Sequence, residues 1–150
     1  MDKFDKLKKI KNNDINEFNL KDTKTIGKLV GINKKSYVII FVLGAVIVKF
    51  NCKLFGIDVN DEKKNFSKNR LLELCTDQKI DLKKEYTDDE LTNILDNNEL
   101  LINIVCDNFD LEGKLLVKLY NIDNNELSFN EILKNEDLAK EIENKFINFN

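Results

Sequence analysis

The first third of the chain alternates apolar and polar positions in a way that predicts three strands. From Thr25, large side chains alternate with small ones, and residues 33–36 then form a polar turn. Residues 37–42 are a run of β-branched and aromatic side chains, which indicates a buried strand. After a turn at residues 43–45, a third strand has two distinct faces. Its apolar face carries Val46, Val48, Phe50, Cys52 and Leu54, and its polar face carries Lys49, Asn51 and Lys53.

Helical and strand patterns alternate in the rest of the chain. An apolar stripe predicts one helix after Asp61, and the capping-box spacing of Thr87 and Glu90 opens a second helix. Two further strands are predicted at residues 100–106 and 115–119, joined by a loop that ends at Gly113. The spacing of Ser128 and Glu131 predicts a short C-terminal helix. A last helix is predicted from the spacing of Leu138, Ile142 and Phe146.

This order of elements predicts an α+β protein built on a small five-stranded barrel, with helices after the third and fifth strands. A chain of 150 residues is the size of one domain. We expect residues 1–24 to be an N-terminal extension with a short helix, and residues 25–150 to be the barrel domain.

The composition excludes several kinds of chemistry. The chain has no histidine, which removes the commonest general base and the commonest metal ligand. Of its 24 basic residues, 23 are lysines, and Arg70 is the one arginine. A mechanism that needs two guanidinium groups on one phosphate is therefore excluded.

The cysteines and the apolar segments indicate an intracellular protein without a membrane partner. Three cysteines without a C-x-x-C pair predict neither a disulfide framework nor a zinc site, and they fit a reducing compartment. No signal peptide is expected, since the first residues run into lysines. Residues 37–50, the most apolar segment, are shorter than the roughly 20 residues that span a bilayer.

Charge is distributed unevenly along the chain. No acidic residue lies between Thr23 and Ile57, where there are six lysines, whereas the chain from Asp58 onward carries a net charge of -10. Two interpretations follow. The basic part compensates the acidic part within the molecule, or it forms a surface for nucleic acid or for an acidic protein.

Two segments carry a resemblance to a known family. Residues 48–58, with Phe50-Asn51-Cys52-Lys53-Leu54-Phe55-Gly56-Ile57-Asp58, resemble the third strand of the staphylococcal nuclease family, in particular its divergent members from giant DNA viruses. Residues 110–120, which begin Asp110-Leu111-Glu112-Gly113-Lys114, are similar to another motif of that family, and residues 127–139 resemble its closing helices. The resemblance implies an oligonucleotide/oligosaccharide-binding (OB) barrel.

The resemblance also implies a site that has lost its chemistry. Active members cleave phosphodiesters with one calcium ion, a glutamate and two arginines. The two arginine positions fall on Lys53 and Lys114, the glutamate becomes Asp61, and one calcium aspartate is kept as Asp58. The turn that supplies the other calcium carboxylate falls on residues 33–36, where Lys35 stands.

From these losses we expect neither an enzyme nor a bound metal or cofactor. Calcium needs six to eight oxygen ligands, and a lysine ammonium cannot replace the forked guanidinium. We expect Lys35 or Lys34 to lie near Asp58 in place of the ion. The predicted function is that of a structural or scaffolding protein, a component of a viral particle, in the virion or the host cytoplasm, whose partners are other proteins. Two alternatives are a weak or altered nuclease and a nucleic-acid-binding module. The module would use an anion-facing surface formed by Lys34, Lys35, Lys49, Lys53 and Lys114.

Overall fold

The computed structural model of the chain describes residues 2–15, 18–34 and 36–146. In chain order its elements are α1 (Lys3–Lys9), β1 (Lys24–Ile32), β2 (Tyr37–Leu43), β3 (Val46–Leu54), β4 (Ile57–Val59), α2 (Lys64–Cys75), α3 (Asp88–Asp96), β5 (Ile102–Phe109), β6 (Leu115–Asn121), α4 (Phe129–Asn135) and β7 (Ala139–Glu141).

Five of the strands close into a barrel in the order β1-β2-β3-β6-β5. Neighbouring strands are antiparallel, except that β3 and β6 pair in parallel over Cys52–Leu54. The protein is thus α+β with a closed five-stranded barrel, consistent with an OB-fold, as the alternation of apolar positions predicted.

Side chains alternate along each strand between the inside and the outside of the barrel, and the apolar side chains that face inward fill it. Phe41 and Phe50 stack inside it with ring centroids 5.5 Å apart, and Phe109 lies 5.9 Å from Phe50. Gly27 permits a close approach of β1 to β2, because a Cβ there would lie 2.1 Å from the carbonyl oxygen of Ile40. Other side chains buried in the core belong to Leu29, Ile39, Cys52, Ile104, Cys106, Val117 and Leu119.

The helices begin where the sequence places their caps. Thr87 accepts a hydrogen bond from the Glu90 backbone, and the Glu90 side chain accepts one from the Thr87 backbone, so the predicted capping box starts α3. Ser128 caps α4 by accepting from the backbone of Glu131. Helices α2 and α3 follow β3 and the short strand β4, and α4 follows β6.

The predicted last helix through Leu138, Ile142 and Phe146 is wrong. Asp137 adopts a left-handed conformation with φ of 60°, which ends α4, and the chain then runs extended as β7. Strand β7 pairs antiparallel with β4 in a separate two-stranded sheet. The Ile142 backbone continues this pairing by donating to the carbonyl of Gly56, so β4 and β7 supply hydrogen-bond partners for each other along their shared edge.

The N-terminal segment contains the predicted helix, but that helix buries none of its residues. Phe4 is 75% exposed and Leu7 is 63% exposed. The buried core begins at Leu20, and β1 begins at Lys24. In the described part of the chain, no helix is long and apolar enough to cross a membrane.

Candidate functional site

A cleft of about 1360 Å³ opens between one end of the barrel and helices α2 and α3. Its walls include the end of β1, the C-terminal part of β3, strand β4 and the turn between β5 and β6. Four residues that the sequence nominated line it, namely Lys34, Lys53, Asp58 and Asp61. This cleft is the candidate site, since it brings together four nominated residues that span 27 positions, from Lys34 to Asp61.

Lys53 is held by two carboxylates. Its ammonium nitrogen lies 3.5 Å from Asp110 Oδ2 and 3.4 Å from Glu112 Oε1, and its side chain is 29% exposed. Lys53 reaches this position because it is at the end of β3, where β3 pairs with β6 beside the β5–β6 turn. One positive charge between two negative ones leaves a net negative group at the position where the resemblance implied a phosphate-binding arginine.

Asp110 also organises the turn that carries Lys114. Its Oδ1 accepts hydrogen bonds from the backbone N–H groups of Glu112 and Lys114, both at 2.9 Å. Gly113 follows with φ of 82°, a conformation that suits glycine. Residues 110–114 therefore form a tight turn with a structural role. The same aspartate, Asp110, holds both this turn and the Lys53 ammonium.

Asp58 and Asp61 line the cleft from β4 and from the segment just before α2. Asp58 is exposed on β4, directly across from Lys140 of β7. Asp61 begins a short 3₁₀ turn just before α2, where its negative charge complements the positive end of the helix. Lys34 lines the same cleft, but within the described residues it forms no salt bridge with Asp58. The other residue expected near Asp58, Lys35, lies outside the described residues.

The five lysines of the predicted anion-facing surface do not all meet in one place. Lys34 and Lys53 line the cleft. Lys49 is exposed on β3 away from the cleft, and Lys114 is half-buried at the start of β6, also outside the cleft lining. Whether any of them binds an anion stays a prediction.

The cleft as a whole is more acidic than basic. Among the described residues that line it there are five lysines and seven carboxylates. Eight of these twelve charged residues were not nominated as site residues by the sequence, and Asp110 and Glu112, the partners of Lys53, are among them. Within the described ranges, no group of three or more acidic or cysteine side chains is placed to hold a metal ion.

The three cysteine thiols and the Tyr37 phenol are not ready nucleophiles. Burial raises the pKa of the Cys52 thiol to about 12 and that of the Cys106 thiol to about 11, and it also raises the pKa of Cys75. All three cysteines are free and buried in the core. Burial likewise raises the pKa of Tyr37, which lines the cleft, to about 12. These groups stay protonated at neutral pH and act as core side chains.

No family model, no curated protein and no solved structure matches this chain. The staphylococcal nuclease resemblance therefore rests on the sequence motifs alone.

Proposed function

We propose that this protein is a non-catalytic barrel that works by contact with other proteins, as a structural or scaffolding subunit. The observation that supports the proposal most is the pairing of Lys53 with Asp110 and Glu112. A cation meant to clamp a phosphoryl group has to be available to it, and this ammonium already has two carboxylate partners.

The overall charge of the cleft adds to this. A phosphodiester backbone that entered would meet more carboxylates than ammonium groups among the described lining residues. Proteins that bind nucleic acid gain most of their affinity from neutralising phosphates, so a net acidic lining opposes such binding. The same lining lacks the arginines that phosphoryl transfer would need.

The exposed N-terminal segment supports a contact function. Its helix α1 buries no residue, and Phe18 beyond it is 79% exposed. A helix of seven residues is marginal in water unless it packs on another surface. We therefore assign this segment a role in holding a partner.

A nucleic-acid-binding module is the second candidate, because residues 23–57 carry lysines and no acid. Surfaces that bind single strands also offer aromatic rings for base stacking. In β2 and β3, however, Phe41 and Phe50 stack on each other inside the barrel, and Tyr37 packs against the core. This candidate is weaker than protein contact for that reason.

Fluorescence anisotropy with a labelled single-stranded DNA separates the two candidates. We expect no binding at micromolar protein, at low or moderate salt. Tight binding that weakens steeply as salt rises would replace the contact function with the nucleic-acid module. The resemblance further predicts that the assembly is a viral particle.

The role of the N-terminal segment is tested by removing residues 1–18, a truncation that keeps the buried Leu20. We expect fewer cross-links between the protein and its partners in the producing cell, while the unfolding midpoint stays unchanged. Unchanged cross-links in the truncated protein would remove the role assigned to this segment.

A further inference from the structure

The outer face of β1, β2 and β3 carries an exposed apolar row. Val42 pairs with Ile47 across β2 and β3, and the pairing of Gly27 with Phe41 puts Ile26 beside Val42. Ile26 is 45% exposed, Val42 is 49% exposed and Ile47 is 72% exposed. Single exposed apolar side chains are ordinary, but three in one cross-strand row indicate a contact surface.

The next row on this face is basic. Lys28 pairs with Ile40, and Ile40 pairs with Lys49, so two lysines flank one isoleucine. Lys28 is half-buried and its Nζ donates to the Asn98 carbonyl at 2.6 Å, whereas Lys49 is exposed. No acid lies anywhere between Thr23 and Ile57, and therefore no carboxylate from these three strands balances Lys49. The face is therefore apolar and carries one exposed positive charge, that of Lys49.

This face adjoins an open sheet edge. Strand β3 pairs with β2 from Val46 to Cys52, but it pairs with β6 only over Cys52–Leu54. Among the described residues, no strand covers the other side of Val46–Asn51. An uncovered edge presents unpaired backbone N–H and C=O groups that can accept another strand.

The register shows which backbone groups are free. Leu43 and Val46 close the two-residue turn at residues 44–45, so they form the first hydrogen-bonded pair of the hairpin. Every second residue of an antiparallel pair turns its backbone groups away from its partner. Ile47, Lys49 and Asn51 consequently direct theirs to the open edge.

We propose that an extended segment of a partner protein, with alternating apolar and acidic residues, adds to the β3 edge as a sixth strand. Its apolar side chains would lie beside the half-buried Val48 and Phe50, and its carboxylates beside Lys49 on the outer face. Main-chain hydrogen bonds supply affinity in this mode, and the alternate side chains supply specificity. The proposal rests on the contact function proposed above and names the partner's chemistry.

Three other occupants fit this edge less well. A second copy of β3 would bring Lys49 near its own equivalent, and like charges on adjacent strands repel. A bilayer would leave the free backbone groups of Ile47 and Lys49 without partners in hydrocarbon. A nucleic acid would find no aromatic ring among the outward residues of the two rows.

An exposed lysine on an edge also discourages unwanted strand pairing. That role alone does not account for the apolar row beside it, since exposed Val42 and Ile47 favour association. A lysine among apolar side chains instead favours the binding of an acidic strand, because its positive charge attracts carboxylates and disfavours neutral or basic strands.

The probe is a labelled eight-residue peptide of alternating valine and glutamate, titrated into the whole protein and followed by anisotropy. We expect micromolar affinity, slowed hydrogen exchange at the amides of Ile47, Lys49 and Asn51, and at least about tenfold weaker binding to Lys49→Glu. Lys79→Glu, which reverses an exposed lysine of the loop between α2 and α3, is the matched control and should bind as the unmodified protein does.

A peptide N-methylated on its edge-facing amides and a valine–lysine peptide should both fail to bind. The proposal is overturned if the valine–glutamate peptide does not bind, if Lys49→Glu binds it unchanged, or if the N-methylated peptide binds equally well. It is also overturned if phosphatidylserine vesicles or single-stranded DNA occupy the face instead. If the peptide does not bind, and the protein neither binds nor cleaves DNA, the contact function is retained and only the proposed partner strand is ruled out.

Discussion

Asn130 connects α4 to the barrel, and its replacement by alanine should destabilise the fold. Its side-chain Nδ2 donates to the carbonyls of Phe55, at 2.9 Å, and Val117, at 3.0 Å. Its Oδ1 accepts from the backbone N–H of Leu119 at 3.3 Å. The side chain is buried, so these three backbone groups have no water to replace it.

The expected loss follows from the number of bonds. Each hydrogen bond contributes on the order of 1 kcal/mol net, and a buried group left without a partner costs about 1–3 kcal/mol. Allowing for relaxation around the small cavity, we expect Asn130→Ala to lower the free energy of unfolding by about 3 kcal/mol. Most domains are stable by only about 5–15 kcal/mol, so the change is large.

Urea unfolding followed by circular dichroism measures this directly. With a typical dependence of about 2 kcal/mol per molar urea, the midpoint should fall by about 1.5 M. Asn135→Ala is the matched control, because Asn135 is exposed on the same helix, and its midpoint should hardly move. Equal midpoints for the two variants would contradict the assigned role of Asn130.

Three further predictions concern packing, pH and thiols. Gly27→Ala should cost more than about 3 kcal/mol, because its Cβ would overlap the Ile40 carbonyl, and a thermal midpoint close to that of the unmodified protein would contradict this. Arg70, bonded to Glu136, lowers the pKa of that carboxyl below 4.5, so the pair stabilises the fold above this pH and its contribution disappears as pH falls below it. Because the pair is partly exposed, Glu136→Gln should remove no more than about 1 kcal/mol of that pH dependence. The measurement compares the urea midpoints of the variant and the unmodified protein at neutral and at acid pH. The same pH dependence in both proteins would argue against the pair. The three buried cysteines, whose thiol pKa values burial raises, should react with Ellman's reagent only after unfolding in guanidinium, and rapid reaction of the native protein would show that they are accessible.

The sequence predicted those parts of the fold that depend on local patterns. Alternating side chains located the barrel strands, since a strand with one buried face has a period of two. The capping box of Thr87 and Glu90 located the start of α3, and Gly113 marked the turn before β6. Each of these signals lies within a few residues of the element it defines.

The C-terminal region shows where local patterns fail. Leu138, Ile142 and Phe146 have the spacing of a helix, yet β7 begins at Ala139. That strand exists because β4, some 80 residues earlier, offers it backbone partners. A three-residue strand has too few positions for alternation to distinguish it from one turn of helix.

The sequence motifs nominated a minority of the charged residues that line the candidate site, and they did not predict its charge arrangement. The motifs nominated Lys53, Asp58 and Asp61, and the structure places all three along one cleft. The partners of Lys53 lie 57 and 59 positions away, at Asp110 and Glu112. Pairing over such separations depends on the register of β3 with β6, which the sequence pattern does not specify.

The proposal that this barrel lost its chemistry and works by contact is tested most directly by a cleavage assay. Purified protein is incubated with labelled single-stranded DNA in millimolar calcium, alongside Asp58→Ala and a sample with chelator. We predict no cleavage above the buffer background in any of the three. Cleavage by the unmodified protein that disappears with the chelator and in Asp58→Ala would show that the cleft is a working metal-dependent nuclease site.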